Sequence, residues 1–521
     1  MPDGVPLFLN SKSGIRRDGT EFDGDHFVDG RWCRFQRGRP RKMGGYTRLL
    51  TTLTGPPREL EVFKIGSLRY IHSGSGTKLE RFTLDQNDNA SVISDRTPAA
   101  YTSSADNDWS FGEVYDTASG NLKIIAHAAP NILDPANNVN QPIWVGDATG
   151  VAILTAVTGS PGDDVSGGVM ALQTYAVAYG SNGAVLWSVS NNPGDFAGAG
   201  SGGANVTGQK IIKGLPLRGG GQSPAALLWS LDSLLRMSFI GGSAIWQFDT
   251  LSGESSILSS NTVIEFDGIY YWCGIDRFLM FNGVLQELDN DLNLNWFFDN
   301  LTPGYAGKAF SFKIPRYGEI WFCAPMFGNT EPSHAAIFNV RESRRSGYPV
   351  WYDTVLPDDL RGAAHYAQTT RSLLQTAATP ISGLSTYALW RHEDGQPDRI
   401  EGTSVLAVRS FFETNDISMM DSQRDPSDKS LSVSFMEPDF IQNGPLTVQI
   451  SGRANARSEQ VYGDPVIIGG TTPAPSDEQL VNFNISRREL RFRFESNVQG
   501  GDYQMGKVIA HVQPTDGRLL A

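Results

Sequence analysis

Between residues 225 and 283 the chain writes one short layout twice. The first passage is Leu227-Leu228-Trp229, a turn at Asp232-Ser233, Leu235–Ile240, a Gly241-Gly242-Ser243 loop and Ala244–Phe248. The second is Val263–Phe266, Asp267-Gly268, Ile269–Cys273, Gly274–Arg277, Phe278–Phe281 and Asn282-Gly283. Both read as strand, tight turn, strand, short loop, strand. Apolar runs this short, bounded by Gly, Asn and Asp, are strand signals and not helices. A repeat of roughly forty residues has the size of one propeller blade. A third copy runs from Phe310 through Glu319-Ile320-Trp321-Phe322 and Ala336-Ile337-Phe338 to Val350-Trp351-Tyr352. No Trp-Asp signature marks the copies, so the repeat is structural and not literal. Upstream, Tyr175–Tyr179 and Val185–Val189 flank Gly180-Ser181-Asn182-Gly183, a hairpin signal because Asn and Gly tolerate positive φ.

The pattern predicts an all-β chain with a β-propeller-like body of repeated antiparallel sheets over residues 58–412. An extended N-terminal arm is expected over 1–57 and a β-sandwich-like domain over 413–521. In that last part Leu431–Phe435, Leu446–Ile450 and Leu490–Glu495 alternate at period two, and Lys507–Val512 is placed beside the last of them. Residues 192–209, rich in glycine, and 415–430, rich in charge, read as loops. Gly 56 and Pro 28 in 521 residues agree with many turns and few long helices.

Lys+Arg 43 against Asp+Glu 56 gives a formal charge of −13, which excludes a strongly basic nucleic-acid binder as the overall class. Cys33, Cys273 and Cys323 lack the paired spacing of a zinc site and read as small buried apolar residues. No stretch approaches the roughly 20 apolar residues of a membrane helix, and no basic-then-apolar signal pattern follows Met1, so no membrane insertion is expected.

The arm carries opposed charge blocks. Asp18, Glu21, Asp23, Asp25 and Asp29 precede Arg31, Arg34, Arg37, Arg39, Arg41 and Lys42, with Trp32, Phe35 and Tyr46 among them. Cations between aromatics suit phosphate contact. The same residues suit an interface pairing with acidic side chains, the arm's own or a neighbouring subunit's. Asp23, Asp25, Arg31, Arg34, Arg37, Arg39, Arg41 and Lys42 are therefore interface candidates. A second basic cluster, Arg341, Arg344 and Arg345, joins them as a solvated loop or a contact to an acidic partner.

Catalytic motifs are weak. Gly198, Gly200 and Gly203 have dinucleotide-fingerprint spacing but sit inside a longer glycine loop. Asp289, Asp291, Asn293 and Asn295 begin like a calcium loop, yet Leu294 and Asn300 occupy its glycine and glutamate positions. His392-Glu393-Asp394 reads as a solvated turn before Gly395. No metal, cofactor or catalytic residue is assigned. Carboxylates brought together in three dimensions keep a carbohydrate-active propeller open as an alternative, with Trp229, Trp246, Trp272 and Trp296 as stacking candidates.

Several segments resemble a known family. Gly14-Ile15-Arg16-Arg17-Asp18-Gly19-Thr20, Asp29–Phe35 and Arg37–Tyr46 resemble the start of tail proteins in short-tailed bacteriophages. Phe266-Asp267-Gly268 and Phe281-Asn282-Gly283 are similar to their propeller segments, and Phe494-Glu495-Ser496-Asn497 with Tyr503-Gln504-Met505-Gly506 to their C-termini. Together they point to the tail nozzle family, also called tail tubular protein B or packaged-DNA stabilisation protein. The resemblance implies a non-enzymatic virion tail protein. Six copies would form a homohexamer ring below the tail adaptor, extending the DNA conduit, retaining packaged DNA and opening for ejection. Fibres, spikes or a needle would attach to it, and double-stranded DNA would pass without sequence preference.

Overall fold

Pro57–Ile65 opens a four-stranded antiparallel sheet completed by Leu68–Ser75, Leu79–Leu84 and Ser94–Asp95. Leu60 and Val62 turn into the core while Glu59 and Glu61 take the other face, the period-two alternation of a strand with unlike sides. The computed structural model describes residues 5–20, 24–105, 107–130, 141–159, 165–218, 223–242, 244–418, 429–455, 457–469 and 481–515. Among these, seven sheets of this kind follow one another as blades 1 to 7. Their first strands begin at Pro57, Asp108, Gly168, Ile211, Ile264, Phe310 and Ala363. Residues of all seven first strands line one central cavity, so the blades form a ring. The ring closes where the His365 Nδ1 of blade 7 lies 2.9 Å from the Leu60 carbonyl of blade 1. The fold is an all-β propeller.

Blade 7 takes its first three strands (Ala363–Ala367, Ser372–Thr376, Thr386–His392) from late in the chain and its fourth, Tyr46–Thr54, from the beginning. Arg399–Glu401 and Ser404–Leu406 extend its edge. Large aromatics fill the seams between blades: Trp229 of blade 4 and Trp272 of blade 5 meet edge to face at 5.6 Å, both fully buried. Cys33, Cys273 and Cys323 are buried free thiols.

The two chain ends build one further β body. Val5–Phe8 pairs with Ile509–Thr515, beside Ser430–Glu437 and Val481–Arg487. Asp29–Arg31 pairs with Ser410–Glu413, which continues to Glu489–Ser496 and Leu446–Arg453. Cys33–Gln36 and Arg39–Lys42 form a hairpin beside Asp502–Met505 and Phe440–Asn443. Phe27, Cys33, Phe35, Phe412 and Phe494 share one continuous core with Trp321 and Tyr352 of blade 6 and Trp390 of blade 7.

Several expectations shift. Residues 1–57 do not form a separate extended arm: strands up to Lys42 belong to the β body and Tyr46–Thr54 to blade 7, because each is hydrogen-bonded to strands from the far end of the chain. The two repeat passages are also out of phase. Leu227–Trp229 lies in the second strand of blade 4, whereas Val263–Phe266 leads into the first of blade 5. The loop expected over 192–209 contains the fourth strand of blade 3, Gly202–Asn205. Lys507–Val512 does not lie beside Leu490–Glu495; Ile509–Thr515 joins Ser430–Glu437 in another sheet. Of the loop over 415–430, residues 419–428 lie outside the described ones.

Candidate functional site

The central cavity is a funnel of about 640 Å³. The connection between blades 4 and 5 lines it through Asn261 and Val263. There the Ser260 hydroxyl donates to Asp108 Oδ2 of blade 2 at 3.3 Å, and the Asn261 amide donates to the Arg58 carbonyl of blade 1 at 3.1 Å. The connection between blades 4 and 5 is thereby tied to blades 1 and 2 beside the cavity.

Glu59 and Glu61 of blade 1 and Glu113 of blade 2 line one wall of it. Burial pushes Glu59 up to about 7, against the pull of Lys213. Burial raises Glu61 further, and the neighbouring Glu113 and Glu59 add to the shift. Burial also brings Glu113 up to about 7. Burial is the first cause for all three, because a carboxylate on this wall is poorly solvated. Elsewhere on the wall Lys313 pairs with Glu265 at 3.1 Å, and burial holds His365 down to about 4. The glutamates escaped the sequence reading, although the alternation Glu59-Leu60-Glu61-Val62 is visible in it. Trp229, Trp246 and Trp272 sit in the blade cores and do not line the funnel, and Trp296 lies half-buried on helix α1 (Leu294–Asp299).

The interface candidates fall into two sets. Arg34 and Lys42 are buried inside the chain, so they are not open to another subunit. Arg34 Nε donates to Glu319 Oε1 at 2.8 Å and Nη1 to Glu393 Oε2 at 2.9 Å. Lys42 Nζ donates to the Gly501 carbonyl at 2.6 Å, and burial lowers its pKa to about 8, with Asp398 and Asp502 opposing. The arm's charges also pair within the chain. Asp25 meets Lys12 at 2.7 Å, and Arg17 bridges Asp29 at 2.7 Å and Asp353 at 2.9 Å. Arg31 lies 3.8 Å from Asp358. Asp23 lies outside the described residues.

The remaining candidates gather at one place. Helix α2 (Val340–Ser346) caps blade 6 between its third and fourth strands and carries Arg341, Arg344 and Arg345, all exposed. Asn339 caps its N-terminus by accepting from the Glu342 amide, and Gly347 ends it at φ 80°. The Glu342 carboxylate accepts the backbone N–H groups of Arg37 at 2.8 Å and Gly38 at 2.9 Å, and Arg345 at 2.7 Å. That single carboxylate clips the arm hairpin onto blade 6. Arg341 donates to the Arg316 carbonyl at 2.6 Å. The Tyr317 ring has the Arg34, Arg316 and Arg41 guanidinium groups 3.7, 5.4 and 5.9 Å from its centre. Arg41 also donates to Gln36 Oε1 at 2.9 Å and Arg39 to the Leu9 carbonyl at 3.3 Å. Two clusters three hundred residues apart in sequence are one surface.

The other motifs find structural roles. His392-Glu393-Asp394 is not a solvated turn: His392 stacks on Tyr46 at 4.8 Å, Glu393 pairs with Arg34, and Asp394 bonds to Thr47. Asn290 and Asn293 bond each other at 2.7 Å ahead of helix α1. Among the described residues no group of His, Cys, Asp and Glu could hold a metal ion, and no helix is long and apolar enough to cross a membrane.

No family model matches the chain, and no curated protein does. Among solved structures, the WD40 beta propeller domain of Doa1 aligns with 68% of this chain and 98% of its own length, at 10% identity and a TM-score of 0.38.

Proposed function

We propose that this chain is a structural tail component of a short-tailed bacteriophage, a nozzle subunit that assembles as a six-copy ring below the tail adaptor. In that role it extends the DNA path, helps retain the packaged genome and takes part in ejection, without catalysis. One observation carries the reading. The segments that resemble the nozzle family, at residues 14–20, 29–42 and 494–506, come together in one β body, where Arg41 stands opposite Gln504 and Phe412 lies between Gly30 and Phe494. A ring of closed blades that shares its core with this body suits a stiff collar, since each blade covers its neighbour's face and few edges stay open. The charge of −13 disfavours phosphate sticking over most of the surface. Virion partners would be the adaptor above and fibres, spikes or a needle below.

The carbohydrate-active alternative draws on Glu59, Glu61 and Glu113 in the funnel, but its stacking tryptophans Trp229, Trp246 and Trp272 are buried. Native mass spectrometry of the purified chain, alone and with the adaptor, separates the two. The nozzle reading expects a particle of six 56.8 kDa copies. A single copy under both conditions, with sugar released from host polysaccharide, overturns it.

A further inference from the structure

We propose that the arginines gathered around Tyr317 and helix α2 form a binding surface for the phosphate backbone of double-stranded DNA. Three segments distant in sequence build it: the arm hairpin turn, the turn at Arg316-Tyr317-Gly318, and the helix. They are held in place by the Glu342 clip and by the Arg341 bond to the Arg316 carbonyl. Arg37, Arg316, Arg341, Arg344 and Arg345 are exposed, and Arg39 and Arg41 flank them half-buried.

Charge pairing at this surface is incomplete. Glu342 is buried and already shared among Arg345 and two backbone amides. Among the described residues the Arg37 and Arg344 side chains make neither a hydrogen bond nor an ion pair. Elsewhere Lys12, Lys78, Lys123 and Arg277 each sit within 3.0 Å of a carboxylate, and exposed cations such as Lys64, Arg236 and Arg371 stand singly; this surface differs in gathering five exposed arginines on three adjoining segments. Acids outnumber bases in this chain, so an unneutralised cluster stands out against its own background field.

The chemistry of the patch selects the partner. Every cation in it is arginine, whose planar fork matches phosphate oxygens in pairs. None of the exposed large apolar side chains belongs to the three segments. A protein interface carries an apolar centre, whereas contact to a phosphate backbone needs none. The inference does not depend on the tail reading; duplex binding and ring assembly are read separately, and either can fail alone.

The test is fluorescence anisotropy of a short labelled duplex of arbitrary sequence, titrated with full-length protein over a series of salt concentrations. The Arg316→Gln/Arg341→Gln/Arg344→Gln variant is expected to bind at least about tenfold more weakly near 50 mM salt, and its log–log salt slope should flatten by about 0.9 for each phosphate left without its arginine. A control with the same change in charge, Lys78→Gln/Lys123→Gln/Arg277→Gln, should bind like the wild type. Unchanged melting temperatures would show that the variants fold. If the triple variant does not fold, Arg344→Gln alone, whose side chain bonds nothing, should still flatten the slope by about 0.9. The proposal is overturned by a wild type that does not bind duplex, by equal loss in the control, or by poly-glutamate competing as well as duplex, which would mark an acidic protein as the partner.

Discussion

Arg34 and Glu319 face each other in a two-pronged ion pair, Nε to Oε1 at 2.8 Å and Nη2 to Oε2 at 3.2 Å, with side chains 1% and 0% exposed. The pair joins the arm hairpin to the second strand of blade 6. Burial pushes the Glu319 carboxyl up, while Arg34, the Tyr352 hydroxyl at 2.7 Å and the Trp321 indole N–H at 3.0 Å oppose that shift. Removing one member strands the other without solvent. Arg34→Ala is therefore expected to cost about 3–5 kcal/mol, and the apolar double replacement Arg34→Met/Glu319→Leu less than that. Urea midpoints measure both. A loss under about 1 kcal/mol for Arg34→Ala would mean that the pair does not hold the body to the blade.

The funnel sets a pH limb to stability. Glu59, Glu61 and Glu113 bind protons more tightly folded than unfolded, so the stability they contribute is full below the ordinary carboxylate range. It is lost as pH rises from about 4.5 through about 7. The histidines act in the opposite sense. Burial holds His127 and His365 down to about 4, so their contribution is present above about 6.5 and is lost as pH falls through about 4. The melting temperature should peak between these limbs and decline toward pH 8. Glu59→Gln/Glu113→Gln should flatten only the alkaline side, and a variant profile parallel to the wild type there would refute the assignment.

Closure of the ring depends on Tyr46–Thr54. Leu53 in that strand is fully buried, whereas its neighbour Thr52 is exposed. Leu53→Ala should cost about 2–5 kcal/mol by leaving a cavity, and Thr52→Ala under about 0.5 kcal/mol. Because blade 7 shares its core with the β body through Tyr46 and Trp390, hydrogen exchange should show both losing protection together in Leu53→Ala. Faster exchange confined to blade 7 would show that the two are separate cooperative units.

Local chemistry explains what the sequence disclosed. Asp267-Gly268 and Asn182-Gly183 sit at φ values of 52° and 80°, and 52° and 66°, so the turns that announce their hairpins are present. Gly202–Asn205 lacks β-branched and aromatic residues and is a strand only because Ala184–Trp187 offers it an edge. Uneven blade lengths, visible in the first-strand positions, hid the ring from a search for one period. Partners remote in sequence hid the rest. Glu393 is held half-buried against Arg34, and the Arg37 backbone bonds to Glu342 of helix α2. Each arginine cluster was readable alone; their union needs pairings across more than three hundred residues.

The glycine excess itself makes a discriminating prediction. Gly183 closes the blade 3 hairpin at φ 66°, and a Cβ built there would lie 2.1 Å from the Thr207 carbonyl oxygen. Backbone cannot swing aside as a flexible side chain can, because Val206 and Ile211 nearby are bonded back to Gly183 and Gly180. Gly183→Ala thus adds a steric overlap to the roughly 1–2 kcal/mol that an L-residue loses in the left-handed region. Gly253, after the last strand of blade 4, has open space around its Cβ position and no positive φ. There the substitution mainly removes freedom from the unfolded chain, and Gly253→Ala should stabilise by about 0.4–1 kcal/mol. Paired urea titrations of the two variants give opposite signs if glycine at 183 is demanded by the turn, and the same sign if its presence is incidental.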